Sequence, residues 1–201
     1  MFCVEQTSLL DPSIAEPVIA DLAGVLCGQG QIVNFGHSSA RLSVVVADLW
    51  RAQALAAECA LRGLAVEIAQ SDGGQPLIRT PFAASLLQLS ALWQRGAVKA
   101  VPAGFHLTDS MLRMWALIGG YRTEVGYLLA LDRRAPDTHT ALSEAMRARG
   151  LGGVRVGPRG GGPGIRISGK RRLAVLAELL GQSPEGAELA WPNTQLLQQA
   201  M

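Results

Sequence analysis
The chain has 201 residues, 49% of them apolar, and a formal net charge of +2, which suits a globular protein with one good core or two small ones sharing an interface. Its three cysteines, Cys3, Cys27 and Cys59, show neither paired nor CxxC spacing, which argues against a disulfide framework or a cysteine-bound zinc and for a reducing cytoplasm. The N-terminus MFCVEQTSLLDP has no basic leader and no apolar run reaches the roughly 18–20 residues that cross a bilayer, so secretion and membrane insertion are not expected.

After an N-terminal segment at 1–14, hydrophobic periodicity predicts a helix over about 14–28 with Pro17 in its first turn. Strands QIVNF (31–35) and ARLSVVVA (40–47) follow, then a helix over about 49–62 closed by Gly63, where a left-handed residue suits the C-cap. LAVEIAQ (64–70) and PLIRT (76–80) read as a hairpin across SDGG (71–74), where glycine permits positive φ. Thr80 followed by Pro81 is expected to cap a last helix over 82–95. The Pro/Gly-bearing connector AVKAVPAGFHL (97–107) leads to a second series: helix 109–120, strands TEV and GYLLALD, and helix 137–149 closed by Gly150. Strands VRVGP and GIRIS follow around RGGG (159–162), then helix 170–181. From Gln182 onward the chain matches neither series, and NTQLLQQA is a candidate short helix.

The two series read as one unit written twice. RGLAVEI (62–68) returns as RGLGGVRV (149–156) and PLIR (76–79) as PGIR (163–166), with starts 87 residues apart. At the same offset Leu86, Leu89 and Leu92 fall on Leu173, Leu176 and Leu179. LAGVLCGQG (22–30) aligns with MWALIGGYR (114–122) at an offset of 92. The expectation is an α+β protein of two tandem αββαββα repeats, 15–96 and 108–182, with the connector 97–107 between them and a tail at 183–201. A pseudo-two-fold between the repeats would bring the leading helices together. Gly24 and Gly28, with Ala116 and Gly120 in the second copy, are the small residues that permit a close approach.

LAGVLCGQG resembles the LAGLIDADG motif of homing endonucleases in its LAG start and final Gly, and two αββαββα copies in one chain resemble the single-chain members of that fold, over about residues 15–182. Within that superfamily the chain is similar to the nuclease-dead repeats of the bacterial WhiA-type sporulation and division regulators, which also have a degenerate motif and helices ending in a basic-Gly-Leu turn. The resemblance implies mixed or antiparallel saddle-like sheets with helices packed on one face and duplex DNA on the other. In the nucleases an acidic residue near the end of each motif holds divalent metal beside the scissile phosphate. Here those places fall to Gln29 and Tyr121, and the earlier acidic place to Cys27 and Gly119. Glu124 has no counterpart at Val33. Neither a metal site nor catalysis is therefore expected, and no cofactor is implied. WhiA-type regulators carry a helix-turn-helix domain after the repeats, whereas about twenty residues follow here, so operator-specific binding is not implied either.

Other motif matches fail on their chemistry. GIRISGKR (164–171) puts Arg171 where a phosphate loop needs a hydroxyl on magnesium, and GQGQIV has two of the three dinucleotide-binding glycines. GHSSA (36–40) lacks the second glycine of a nucleophile elbow, and His37, His106 and His139 have no metal spacing.

Charge is the stronger signal. Residues 113–172 hold twelve Lys/Arg against four Asp/Glu, the flanking segments are net acidic, and 16 of the 18 basic residues are arginine. That pattern suits forked phosphate contacts, and GC-rich coding alone would also produce it. The candidate DNA contacts are Arg41, Arg79, Arg133, Arg134, Arg155, Arg159 and Arg166, with Lys170, Arg171 and Arg172 at a helix N-terminus. Strand alternation places Arg41, Ser43 and Val45 on one face, and Glu67 matches Arg155 across the repeat. The alternative is a protein-interaction scaffold that docks a partner or a second copy through a tail bearing Trp191, Leu196 and Leu197.

Overall fold
In the computed structural model, which describes residues 16–192, the LAG segment forms a 3₁₀ turn (Ile19–Leu22) that runs into helix α1 (Ala23–Cys27). The helix starts later than expected because the Asp21 carboxylate accepts the Val18 N–H at 3.1 Å and fixes the entry there, leaving Pro17 ahead of it. β1 (Gln31–Phe35), β2 (Ser39–Val45), α2 (Leu49–Leu61), β3 (Glu67–Gln70) and β4 (Pro76–Arg79) follow. The strands form an antiparallel sheet in the order β1-β2-β4-β3. Thr80 does not cap the next helix. Its hydroxyl accepts the Leu42 N–H at 3.0 Å and donates to the Pro81 carbonyl at 2.9 Å, so it closes the strand edge. Helical backbone resumes at Ala84 and continues as α3 (Leu87–Trp93). A small hairpin follows, in which β5 (Gln94–Arg95) replaces the end of the expected helix, since Gln94 turns to extended backbone, and β6 (Val98–Lys99) occupies the start of the expected connector.

The second half runs α4 (Asp109–Gly119), β7 (Gly120–Thr123), β8 (Gly126–Ala130), α5 (Thr138–Ala148), β9 (Val154–Val156), β10 (Gly164–Ile167) and α6 (Lys170–Leu180), with sheet order β7-β8-β10-β9. The Thr108 hydroxyl caps α4 by accepting the Met111 N–H. β7 begins at Gly120 and not at Thr123, since α4 passes directly into the strand and Glu124 and Val125 make the turn. Gly63 and Gly150 leave α2 and α5 with φ of +70° and +73°, the left-handed exit that glycine favours.

Helices cover one face of each sheet. Along β2, Ala40, Leu42 and Val44 are buried, while Arg41, Ser43 and Val45 alternate onto the other face. Register gives matching rows on that open face: Gln31, Ser43, Arg79 and Glu67 across the first sheet, and Tyr121, Leu128, Arg166 and Val154 across the second. Two expected equivalences therefore shift. Tyr121 stands in register with Gln31 and not with Gln29, because residues 28–30 separate α1 from β1 whereas no residue separates α4 from β7. Glu67 stands in register with Val154 and not with Arg155, because the 87-residue offset of the neighbouring segments holds through these strands without an insertion.

The two motif helices pack on each other. A Cβ at Gly24 would lie 1.9 Å from the Met111 carbonyl oxygen, and one at Gly28 would lie 2.6 Å from Ile118 Cδ1. Gly120 has a different neighbour: a Cβ there would meet the Tyr127 hydroxyl of its own sheet at 2.2 Å, so its small size serves the β7–β8 hairpin and not the helix pair. Ala116 is fully buried in α4. Behind the helices Arg62 bridges Asp21 and Glu58, each at 2.8 Å, and Glu58 in turn accepts from Arg113 at 3.0 Å. Arg113 also caps α6 by donating to the Leu180 and Gln182 carbonyls at 2.6 and 2.8 Å.

That end of the core holds the tail. Trp191 is 2% exposed, donates its indole N–H to the Gly181 carbonyl at 3.0 Å and faces the Arg113 guanidinium. It is thus packed inside its own chain and is not offered to a partner as expected, since burial of the ring outweighs any exposed role. Leu196, Leu197 and the candidate helix NTQLLQQA lie outside the described residues. No helix among the described residues is long and apolar enough to cross a membrane.

Replacing Gly24 tests the helix contact. Gly24→Ala forces its methyl into the Met111 backbone and is expected to lower stability by about 3 kcal/mol. Gly157→Ala, with nothing within 4 Å of the added carbon, should stay within about 0.5 kcal/mol of the parent in the same denaturant titration.

Candidate nucleic-acid interface
The open face is built by strand alternation alone. β2 and β4 present Arg41 and Arg79 on it, β10 presents Arg166, and the loop after β8 adds Arg133 and Arg134. Arg133 and Arg134 border a central pocket of about 410 Å³ together with Gln29, Gln31, Ser43 and Asp132. These five arginines share one surface over both halves. Of the other candidates, Arg159 lines a groove with Arg166 at the edge of this surface, and the rest lie away from it. Arg155 points to the helix side and donates to the Thr140 hydroxyl of α5 at 3.1 Å, as the buried Ile165 opposite it requires. Arg159 lies exposed in the 3₁₀ turn after β9 (Pro158–Gly160). Lys170, Arg171 and Arg172 begin α6 beyond the outer end of β10, and Arg172 is held by the Gly152 carbonyl.

Beneath the pocket the carboxyl ends of both motif helices are capped by cations. The Lys99 ammonium donates to the carbonyls of Gly28 at 2.6 Å and Gly30 at 2.8 Å, and to the Asp132 carboxylate at 2.9 Å. Gln31 donates to the same carboxylate oxygen at 2.7 Å, and the Arg134 N–H to the other at 2.9 Å. At the end of α4 the buried Arg51 guanidinium donates to the carbonyls of Ala116, Leu117 and Gly120 at 3.2, 2.7 and 2.6 Å. A helix carboxyl end carries roughly half a negative charge. Each of the two ends thus meets a positive side chain supplied from elsewhere in the chain.

Titration follows from this packing. Burial pulls the Lys99 ammonium below the ordinary lysine value, and the Asp132 charge and hydrogen bond restore part of it. Three oxygens around Lys99 each need a proton, so the geometry holds the charged form. Burial pushes the Asp132 carboxyl up, but the Lys99 charge and the donors from Lys99, Arg134 and Gln31 outweigh it and leave the group below its usual range. Burial also raises the Cys27 thiol, and raises Cys59 to about 11, so both are core hydrophobes and not nucleophiles.

These residues do not fit a divalent metal, which wants several oxygen ligands and charge balance. Gln29, Gln31 and Tyr121 are neutral, the Tyr121 hydroxyl donates to the Gly161 carbonyl at 2.8 Å, and the pocket carboxylate, Asp132, is engaged by Lys99. Among the described residues no group of three His, Cys, Asp or Glu is placed to hold a metal ion.

Sequence reasoning passed over Lys99, Asp132, Gln31 and Arg51. The available signal was chemical: Lys99 is one of only two lysines and stands alone in the apolar run AVKAV, and Arg51 interrupts an otherwise alanine- and leucine-rich helix. A lone charge in such surroundings is kept when it has a buried partner.

No protein-family model matches this chain, and no curated protein matches it. Among solved structures it is similar to the homing endonuclease I-WcaI bound to its DNA recognition sequence, with a TM-score of 0.64 at 12% identity over 87% of this chain and 85% of that one. It is also similar to the N-terminal LAGLIDADG domain of DUF199/WhiA, with a TM-score of 0.55 at 16% identity over 84% of both chains. The fold is LAGLIDADG-like.

Lys99→Met tests the ionic cap. It leaves the buried Asp132 carboxylate without its counter-ion and removes a donor from two carbonyls, and should lower stability by about 3 kcal/mol, with Lys99→Met/Asp132→Asn recovering at least about 1 kcal/mol. The sign with pH follows from the depressed Asp132 value. Its contribution is complete above the ordinary carboxyl value of 3.8 and is lost as pH falls through the lower folded value. Acid titration of stability should therefore show this limb in the parent and lose it in Lys99→Met.

Proposed function
We propose that this chain is a catalytically inactive, LAGLIDADG-like protein that docks duplex DNA on the open face of its two sheets and acts there as a regulatory or DNA-associated factor. The observation that carries the reading is the shared surface of Arg41, Arg79, Arg133, Arg134 and Arg166, opposed on that face by Glu67 and by an Asp132 already neutralised by Lys99. Arginine forks bind phosphate by charge and by paired hydrogen bonds, and such contacts position a duplex without reading its sequence. The antiparallel sheets supply a rigid base, and the neutral groups in the pocket neither activate water nor balance a metal. The likeness to a DNA-bound homing endonuclease supports the docking face, and the likeness to the WhiA domain supports a role other than cutting.

A second reading has its own observation. The first sheet also exposes Val33, Phe35, Val45 and Phe82 on this face, and an apolar patch beside arginines suits a protein partner. Recovery of the chain by a purified partner, without retention of duplex DNA at low salt, would favour it.

Electrophoretic shifts at two salt concentrations decide the first reading. The parent should bind duplex DNA with an affinity that falls steeply with salt, and Arg133→Ala/Arg134→Ala should flatten the slope by roughly two units of log K per log salt. Incubation of supercoiled plasmid with Mg²⁺ or Mn²⁺ should yield no nicked form. Metal-dependent nicking, or a double variant with unchanged slope, overturns the proposal.

A further inference from the structure
At the outer end of the first sheet two phenyl rings form a tier beside Arg41, and phosphate binding leaves those rings unused. Phe35 ends β1 at the tip of the first hairpin and is 66% exposed, an unusual place for a phenyl ring. Phe82, 40% exposed, is brought beside it by a bridge in which Ala40 and Ala83 exchange backbone hydrogen bonds at 3.0 and 2.9 Å. Ala40 faces the core, so Ala83 faces it too and Phe82 turns onto the open face. The two ring centroids stand 5.4 Å apart at 47°, and the Arg41 guanidinium lies 4.5 Å above the Phe82 ring. Val33 continues the apolar floor, 43% exposed, directly across the strand pair from Arg41.

The composition of the tier selects its ligand. An ammonium would be repelled by Arg41, which already occupies one aromatic face. A purely apolar peptide would gain nothing from the guanidinium. A nucleotide presents both what an aromatic ring and an arginine recognise, a flat π-face and an adjacent phosphate. Within a stacked duplex that π-face is hidden, so the tier has value only for a base out of the helix.

The geometry points to Phe35, Phe82 and Arg41 as a stacking platform for an unpaired nucleobase, which makes the protein prefer DNA carrying an unpaired base over perfect duplex. This rests on the reading of the open face as a DNA surface. The arginine surface at the pocket holds the flanking phosphates, and the hairpin tip receives the base.

The test uses the full chain with two short duplexes of the same sequence, one with 2-aminopurine paired and one with it as a single-base bulge. The bulged duplex should bind about ten-fold tighter, and 2-aminopurine fluorescence should fall on binding. Phe35→Ser should abolish the preference and the fluorescence change while leaving perfect-duplex affinity and its salt slope within about two-fold, and Phe35→Tyr should retain both. Equal affinity for the two duplexes, or a preference that survives Phe35→Ser, overturns the platform and leaves the docking face standing. Failure to bind either duplex at low salt, including the case in which a protein partner covers the tier, overturns both.

Discussion
Everything else in the structure depends on how closely α1 and α4 approach. Gly24 lies where any side chain would collide with the Met111 backbone, and Gly28 is roofed by Ile118 and Trp115. Such proximity gives two buried helices a wide contact, with the Trp115 indole secured on the Ala130 carbonyl at 2.7 Å. It also has an electrostatic consequence. Both helices pass into the first strands of their sheets, so two sets of under-bonded carbonyls are buried near the middle of the protein.

Cations resolve that problem, and each crosses between halves. Arg51 belongs to the first half and caps the α4 carbonyls of the second. Lys99 caps the end of α1 and holds Asp132 from the second half. The same bonds that satisfy the helix ends therefore tie the two sheets together, alongside the Asp21–Arg62–Glu58–Arg113 chain on the far side of the helices. Their effect on chemistry follows directly. The pocket's carboxylate, Asp132, is thus held in an ion pair with Lys99, while Arg133 and Arg134 line the same pocket.

Much of the architecture was legible because it is local. QIVNF forms β1 over the same residues, α5 differs from its expected span by one residue at each end, and the glycine exits after α2 and α5 follow from one chain position each. Gly24 and Gly28 were readable because small residues four apart on an apolar helix have few other uses. What failed depends on counting through irregular backbone. The irregular residues between α1 and β1 moved the partner of Tyr121 from Gln29 to Gln31, and Val154, not Arg155, takes the place of Glu67 in the row, which turns Arg155 to the helix side. The capping cations failed for another reason: Lys99 lies 33 residues from Asp132 and Arg51 lies 69 from Gly120, and periodicity carries no information about partners that distant.

The matched rows of the two sheets then show which feature is common and which has diverged. Gln31, Ser43, Arg79 and Glu67 form the row of the first sheet, and Tyr121, the buried Leu128, Arg166 and Val154 that of the second, so arginine is the residue type that both rows keep at one place. Its surroundings differ. Arg79 stands across from Glu67, which weakens the local field, while Arg166 stands across from Val154 and lines a groove with Arg159. Charge is thus concentrated on the second half and aromatic surface on the first. A polyanion laid across both, as proposed, would be held by phosphate contacts at one end and meet Phe35 and Phe82 at the other, so two sheets of the same strand order offer different chemistry.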